Sequence, residues 1–152
     1  MEKIQTRFRR AALVAGALAA LAVAAPAHAV VDLRGGVYTD HEKPFAGAGL
    51  FFHGSGPLYL NPNVEYVFVD DGTFGTANFD LLLQFPTGGS PKFWVGGGLA
   101  LVYTDPEDDA SDTKPRANII GGIGFGGRTS PYLQAKYISG IGEWVLSAGI
   151  RF

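Results

Sequence analysis

The chain has 152 residues, the length of one domain with at most a small appendage. Charged residues make up only 17%, glycine is 22 of 152 and cysteine is absent, which excludes disulfide scaffolds, Cys-based metal sites and thiol nucleophiles. A formal net charge of −2 gives no support for nucleic-acid binding.

The first element is not part of the fold. Lys3, Arg7, Arg9 and Arg10 form a basic head, Ala11 to Ala25 an apolar run, and Ala27-His28-Ala29 an A-x-A site. This is the pattern of a cleaved secretory signal. A spanning helix needs about 20 apolar residues, and this Ala-rich run is shorter. The division is therefore a signal over 1–29 and a mature domain over 30–152. The mature chain loses four basic residues and one acid, leaving eight Lys and Arg against thirteen Asp and Glu, a net −5. No later stretch is long and apolar enough to cross a membrane as a helix. An exported chain of this kind is either soluble beyond the inner membrane or a barrel in an outer one.

The mature chain shows no 3.6-residue apolar period. Alternation at period 2, broken by turn clusters, predicts eight strands. They are Val31–Thr39, Phe45–Phe52, Leu58–Val69, Thr73–Phe85, Pro91–Thr104, Arg116–Gly126, Pro131–Ser139 and Glu143–Phe152. Three connections, 53–57, 86–91 and 127–131, are small Gly/Ser turns ending in Pro. The others are acidic, and 105–115 is expected to be long. Pro62 interrupts the third strand, so either a bulge lies at 61–63 or the strand starts at Val64.

The faces decide the architecture. In the last strand Trp144, Leu146, Ala148, Ile150 and Phe152 oppose Val145, Ser147, Gly149 and Arg151. In the fourth, Phe79, Leu81, Leu83 and Phe85 oppose Asn78, Asp80, Leu82 and Gln84. The polar faces carry glycine and single charges, not the dense charged cover of a water-facing wall. That predicts lipid outside and a polar interior. Ten of the thirteen mature acids fall in or beside the loops opposite the termini. Outward aromatics form two rings: Phe85, Phe93, Phe125 and Phe152 at the turn side, and Phe68, Tyr103, Tyr137 and Trp144 at the loop side. Such girdles suit the two lipid–water boundaries. The fold class is an all-β, eight-stranded, antiparallel up-and-down transmembrane barrel.

On Tyr132-Leu-Gln-Ala-Lys136-Tyr137 and Gly149-Ile-Arg-Phe152, the mature chain resembles the small bacterial outer-membrane barrels of the OmpA-like, opacity-type group. The resemblance implies export to the outer membrane of a diderm bacterium, with lipid and lipopolysaccharide as surroundings. The terminal Phe152 is similar to the signal read by the outer-membrane assembly machinery.

Chemistry-bearing residues are few. His41 and His53 belong to opposite ends of the barrel and cannot share a site. Small barrels that hydrolyse lipid A use a Ser and a His; Ser139 and Ser147 have no His near them. No enzyme activity, cofactor or metal site is expected. The loop Asp105–Asp112 lacks the EF-hand spacing, although weak divalent-cation binding there is one reading. The glycine runs 96–98 and 121–124 sit inside strands, with no helix start to hold a phosphate. Arg34, Glu65, Asp80 and Lys136 all point inward near mid-barrel. They are expected to neutralise one another as a structural charge network. Gly96, Gly98, Gly122, Gly124 and Gly149 would line one wall and leave room for water. The expected role is structural or surface-interaction. The alternatives are a narrow pore or carrier for small solutes, or a soluble periplasmic lipocalin-like binding barrel.

Overall fold

The computed structural model describes residues 29–70, 72–85, 87–105, 110–127 and 129–152. The basic head and apolar run of the signal lie outside them. The strands are β1 (Ala29–Tyr38), β2 (Lys43–His53), β3 (Leu58–Val67), β4 (Thr73–Phe85), β5 (Lys92–Asp105), β6 (Asp112–Gly124), β7 (Ser130–Ile138) and β8 (Glu143–Arg151). Each pairs antiparallel with its sequence neighbours, and β1 closes against β8. The amide and carbonyl of Phe152 complete the seam on Val31, at 3.0 and 2.9 Å.

The register explains the shape. Partners of Ala29 run through Phe52, Leu60, Leu81, Gly97, Ile119, Tyr137 and Trp144. The Thr39 amide then bonds the Trp144 carbonyl, so the circuit returns to β1 ten residues beyond Ala29. Such a stagger tilts the strands by roughly 35–45° to the axis.

Alternation along each strand sorts the residues by face. Leu99 and Ile119 are 66% and 68% exposed on the outer wall, whereas Asp80 and Lys136 are 0% and 1% exposed inside. Both expected aromatic rings are outward, Phe85, Phe93, Phe125 and Phe152 at one end and Phe68, Tyr103 and Trp144 at the other.

Two strand expectations are corrected. β3 runs straight through Pro62, with no bulge and no late start, because its ladder to β4 is unbroken. Only the pairing to β2 lapses, at Leu50 and Phe51. Proline has no N–H to offer there. The Asn61 side-chain amide takes its place, donating to the Leu50 carbonyl at 2.8 Å. Asn61→Leu orphans this buried acceptor and also removes the bond that Asn61 Oδ1 accepts from Arg34, so it should cost at least about 1–3 kcal/mol. Urea unfolding in lipid vesicles would measure it, and a silent substitution would mean that water reaches Leu50.

The second correction is β6, which begins at Asp112 instead of Arg116. It pairs β5 over its whole length but meets β7 only from Asn118 onward. Pro115 thus stands on a free edge, where a missing donor is tolerated. The extension also removes the expected difference in loop length. Connections are 54–57, 86–91 and 125–129 at the terminal end, and 39–42, 68–72, 106–111 and 139–142 at the other. The two ends still differ in charge, and at the outer end the β5–β6 hairpin stands beyond β7 over residues 112–117.

Candidate functional site: the barrel interior

The interior is built in three layers. At the loop end Tyr38, Phe45, Val67, Ile138 and Val145 form an apolar cluster. At the turn end Phe51, Leu82, Trp94, Ile120 and Tyr132 form a second. Between them lie buried polar side chains, including the acids Asp32, Glu65 and Asp80 and the bases Arg34, Lys136 and Arg151. Three charges of each sign are buried here, and Arg34, Asn78, Asn118 and Arg151 each keep a buried polar atom with no hydrogen-bond partner among the described residues.

Of the four charges expected to form one network, three come together. Lys136 Nζ donates to both Glu65 oxygens at 2.7 Å. Arg34 Nη1 lies 3.7 Å from the same carboxylate. Tyr38 and Thr76 hydroxyls donate to Glu65 Oε2 at 2.8 and 3.3 Å. Asp80 does not join them and makes no ion pair among the described residues. Asn63 and Asn118 amides donate to its two oxygens, at 2.8 and 2.9 Å. Asn78 adds a bond to Asn63 at 3.0 Å. The amide ladder solvates this carboxylate in place of a cation.

Sequence reasoning left Asp32 out. It sits two residues before Arg34, so the same alternation that turns Arg34 inward turns Asp32 inward too. Arg34 Nη2 is paired with Asp32 and with Asn61 Oδ1. The Tyr132 hydroxyl donates to Asp32 Oδ1 at 2.6 Å. Arg151 was placed inward by its phase but not in the network. Its guanidinium carbon lies 3.9 Å from the Phe51 ring centre and 4.4 Å from those of Trp94 and Tyr132, with Asp32 3.9 Å from Nε. Aromatic faces and one carboxylate together offset the cost of burying this cation.

The glycine wall is filled, not wet. The Trp94 indole lies against Gly122, and the Tyr132 ring against Gly149, so closely that a methyl group at either glycine would overlap the ring. Leu82 and Asp80 fill the space beside Gly96 and Gly98 in the same way. Gly122→Ala should cost about 1–3 kcal/mol as overpacking. Pairing it with Trp94→Leu should recover part of that loss in the same unfolding assay; no recovery would place the strain elsewhere.

The remaining sequence candidates do not form a site. His41 and His53 are at opposite ends. His41 Nδ1 lies 2.5 Å from Glu143 Oε2, and the Asp40 amide donates to Glu143 Oε1 at 2.9 Å. Glu143 is fully buried and pins the first hairpin turn to β8. His53 Nε2 meets the Gly56 carbonyl at 2.9 Å. Ser139 and Ser147 hydroxyls donate to the carbonyls of Ala117 and Gln134, at 3.0 and 3.3 Å. Among the described residues no three metal-ligating side chains converge. Much of the acidic loop considered for divalent cations, 106–109, lies outside those residues. In the second outer connection Asp70 is bonded by Lys43 of β2, which holds its carboxyl below the usual carboxylate range.

Above the loop-end cluster is a cavity of about 330 Å³. Val67, Val69, Phe74, Val102 and Ile141 line it, and His41, Lys43, Thr73, Thr104 and Asp105 surround its opening.

No protein-family model matches the chain, and no curated protein matches it in sequence. Solved structures do match its fold. The N-terminal β-barrel domain of Pseudomonas aeruginosa OprF aligns with a TM-score of 0.64 at 19% identity, covering 82% of this chain and 96% of that one. Neisserial surface protein A (NspA) gives 0.58 at 14% identity, over 81% and 92%. The de novo designed TMB2.3 gives 0.58 at 14% identity, over 85% and 95%. The chain has the fold of the small OmpA-like outer-membrane barrels.

Proposed function

We propose that the chain is an integral outer-membrane protein with a closed lumen, serving a structural or surface-interaction role rather than catalysis or conduction. One observation carries the reading: a closed barrel exposes its large apolar side chains around the outside and buries its charges within. In water that arrangement would be inverted, because an exposed apolar belt of this extent is an aggregation site. In a bilayer it is what the solvent requires. The similarity to a Neisserial surface protein and to the OprF barrel supports the same location.

The lumen argues for a closed barrel. Apolar clusters cap the polar layer at both ends, and aromatic rings occupy the glycine wall. The acidic end, with Asp40, Asp70, Asp105 and Asp112, would face outward, meeting lipopolysaccharide through bridging divalent cations. Phe152, exposed at the seam, would serve the assembly machinery as the terminal aromatic.

The purified protein should fractionate with the outer membrane, show heat-modifiable gel mobility and begin at Val30 by mass spectrometry. In planar bilayers it should give no steady conductance. A stable ion current would replace this reading with the narrow pore, and recovery as a soluble periplasmic protein would sink the membrane assignment altogether.

A further inference from the structure

The cavity at the loop end is not accounted for by a structural role. We infer that it is a binding cup for a small single-chain amphiphile with one carboxylate. Four observations lead there. The volume, about 330 Å³, falls within the range of small-molecule sites. The walls are apolar, from Val67, Val69, Phe74, Val102 and Ile141. The floor is the buried cluster of Tyr38, Phe45, Val67, Ile138 and Val145, against which Val69, Phe74 and Ile141 pack. Unfilled, this apolar lining would face water, and an alkyl chain removes that cost.

The opening selects the headgroup. Lys43 stands on the rim, and its present partner, Asp70, is 85% exposed. An exposed pair of this kind is worth little, so an incoming carboxylate can exchange for Asp70 at small cost. His41 is the second basic group on the rim; its Nδ1 is engaged by Glu143, and its ring is 65% exposed. One acid head on one apolar tail fits all of these.

An alkyl chain with an acidic head could also come from the bilayer. Beside the cup, residues 112–117 of β6 pair with β5 but have no β7 partner, so the wall is open on that flank and the test has to separate the two sources. The test uses the full mature chain in lipid nanodiscs with methyl-labelled Val and Ile, titrated with sodium octanoate. Methyl signals of Val67, Val69, Val102 and Ile141 should shift together and saturate. Affinity should rise roughly three- to fourfold per methylene from hexanoate to octanoate. Octanoate should bind about tenfold more tightly than octylammonium, and Lys43→Met should remove that preference, as expected for one hydrogen bond to a charged group. Ile141→Trp, in a surface turn, should fill the cup and abolish the shifts while leaving the barrel folded. Shifts that never saturate, equal affinity for the acid and the amine, or methyl signals that follow nanodisc lipid chain length instead of octanoate would each overturn the inference.

Discussion

Glu65→Ala is expected to destabilise the folded barrel by roughly 3–5 kcal/mol, the cost of leaving a buried charge without its partner. Lys136 donates to both Glu65 oxygens and has no other ion pair among the described residues. The same carboxylate accepts from Tyr38 and Thr76 and faces Arg34. Its removal strands one cation, weakens a second and orphans two hydroxyls. Asp80→Asn should cost only about 1 kcal/mol, because its direct partners are the amides of Asn63 and Asn118, which can bond a neutral side chain. Glu65→Gln combined with Lys136→Met removes both charges and should recover most of the loss. Equilibrium unfolding by urea in lipid vesicles would rank the variants. Equal effects at Glu65 and Asp80 would mean that Lys136 is shared between them. Silence at both would mean a wet lumen, and the pore reading would gain.

That contrast marks how far alternation reaches. Period 2 tells which way Glu65, Asp80, Lys136 and Arg34 point, because each strand face is a property of local sequence. It does not tell which of them meet. Contacts across the lumen depend on the ten-residue stagger of the closed sheet, and that is set by eight registers at once. Asp32 was legible by the same rule that found Arg34. The amide ladder around Asp80 was not, since an inward Asn reads as a neutral polar residue until its neighbour is known. The glycine wall misled for a related reason. Glycine marks space in its own strand, but Trp94 and Tyr132, from the adjacent strands, occupy that space. The loop-end cup was also beyond reach, because its lining comes from β2, β3, β4, β5 and the connections that hold His41, Val69 and Ile141. Pro62 and Pro115 show the reverse case. Pro62 looked like a strand breaker and Pro115 like the end of a loop, yet each sits inside a strand where one neighbour demands no donor from it.

The sharpest test of the membrane orientation is on β8. Ala148 faces outward, and Ser147 faces the lumen at 9% exposure. Trp144 and Phe152 stand at the two aromatic rings, so position 148 falls near the bilayer midplane. Ala148→Lys should then cost roughly 2–4 kcal/mol, the midplane penalty for a charge on the lipid face. Ser147→Lys meets a different environment. It points toward the polar layer and gives up only a 3.3 Å bond to the Gln134 carbonyl. Crowding by Gly36, whose backbone packs against Ser147, adds a steric cost, so the comparison also needs Ser147→Gln, which is polar and uncharged. The expected order of stability in vesicles is wild type, Ser147→Gln, Ser147→Lys, then Ala148→Lys. Thickening the bilayer should not change that order, because position 148 stays at mid-depth. If Ala148→Lys is silent while both Ser147 variants unfold the chain, the apolar wall does not face lipid. The barrel would then be a soluble one whose outer belt is covered by a partner.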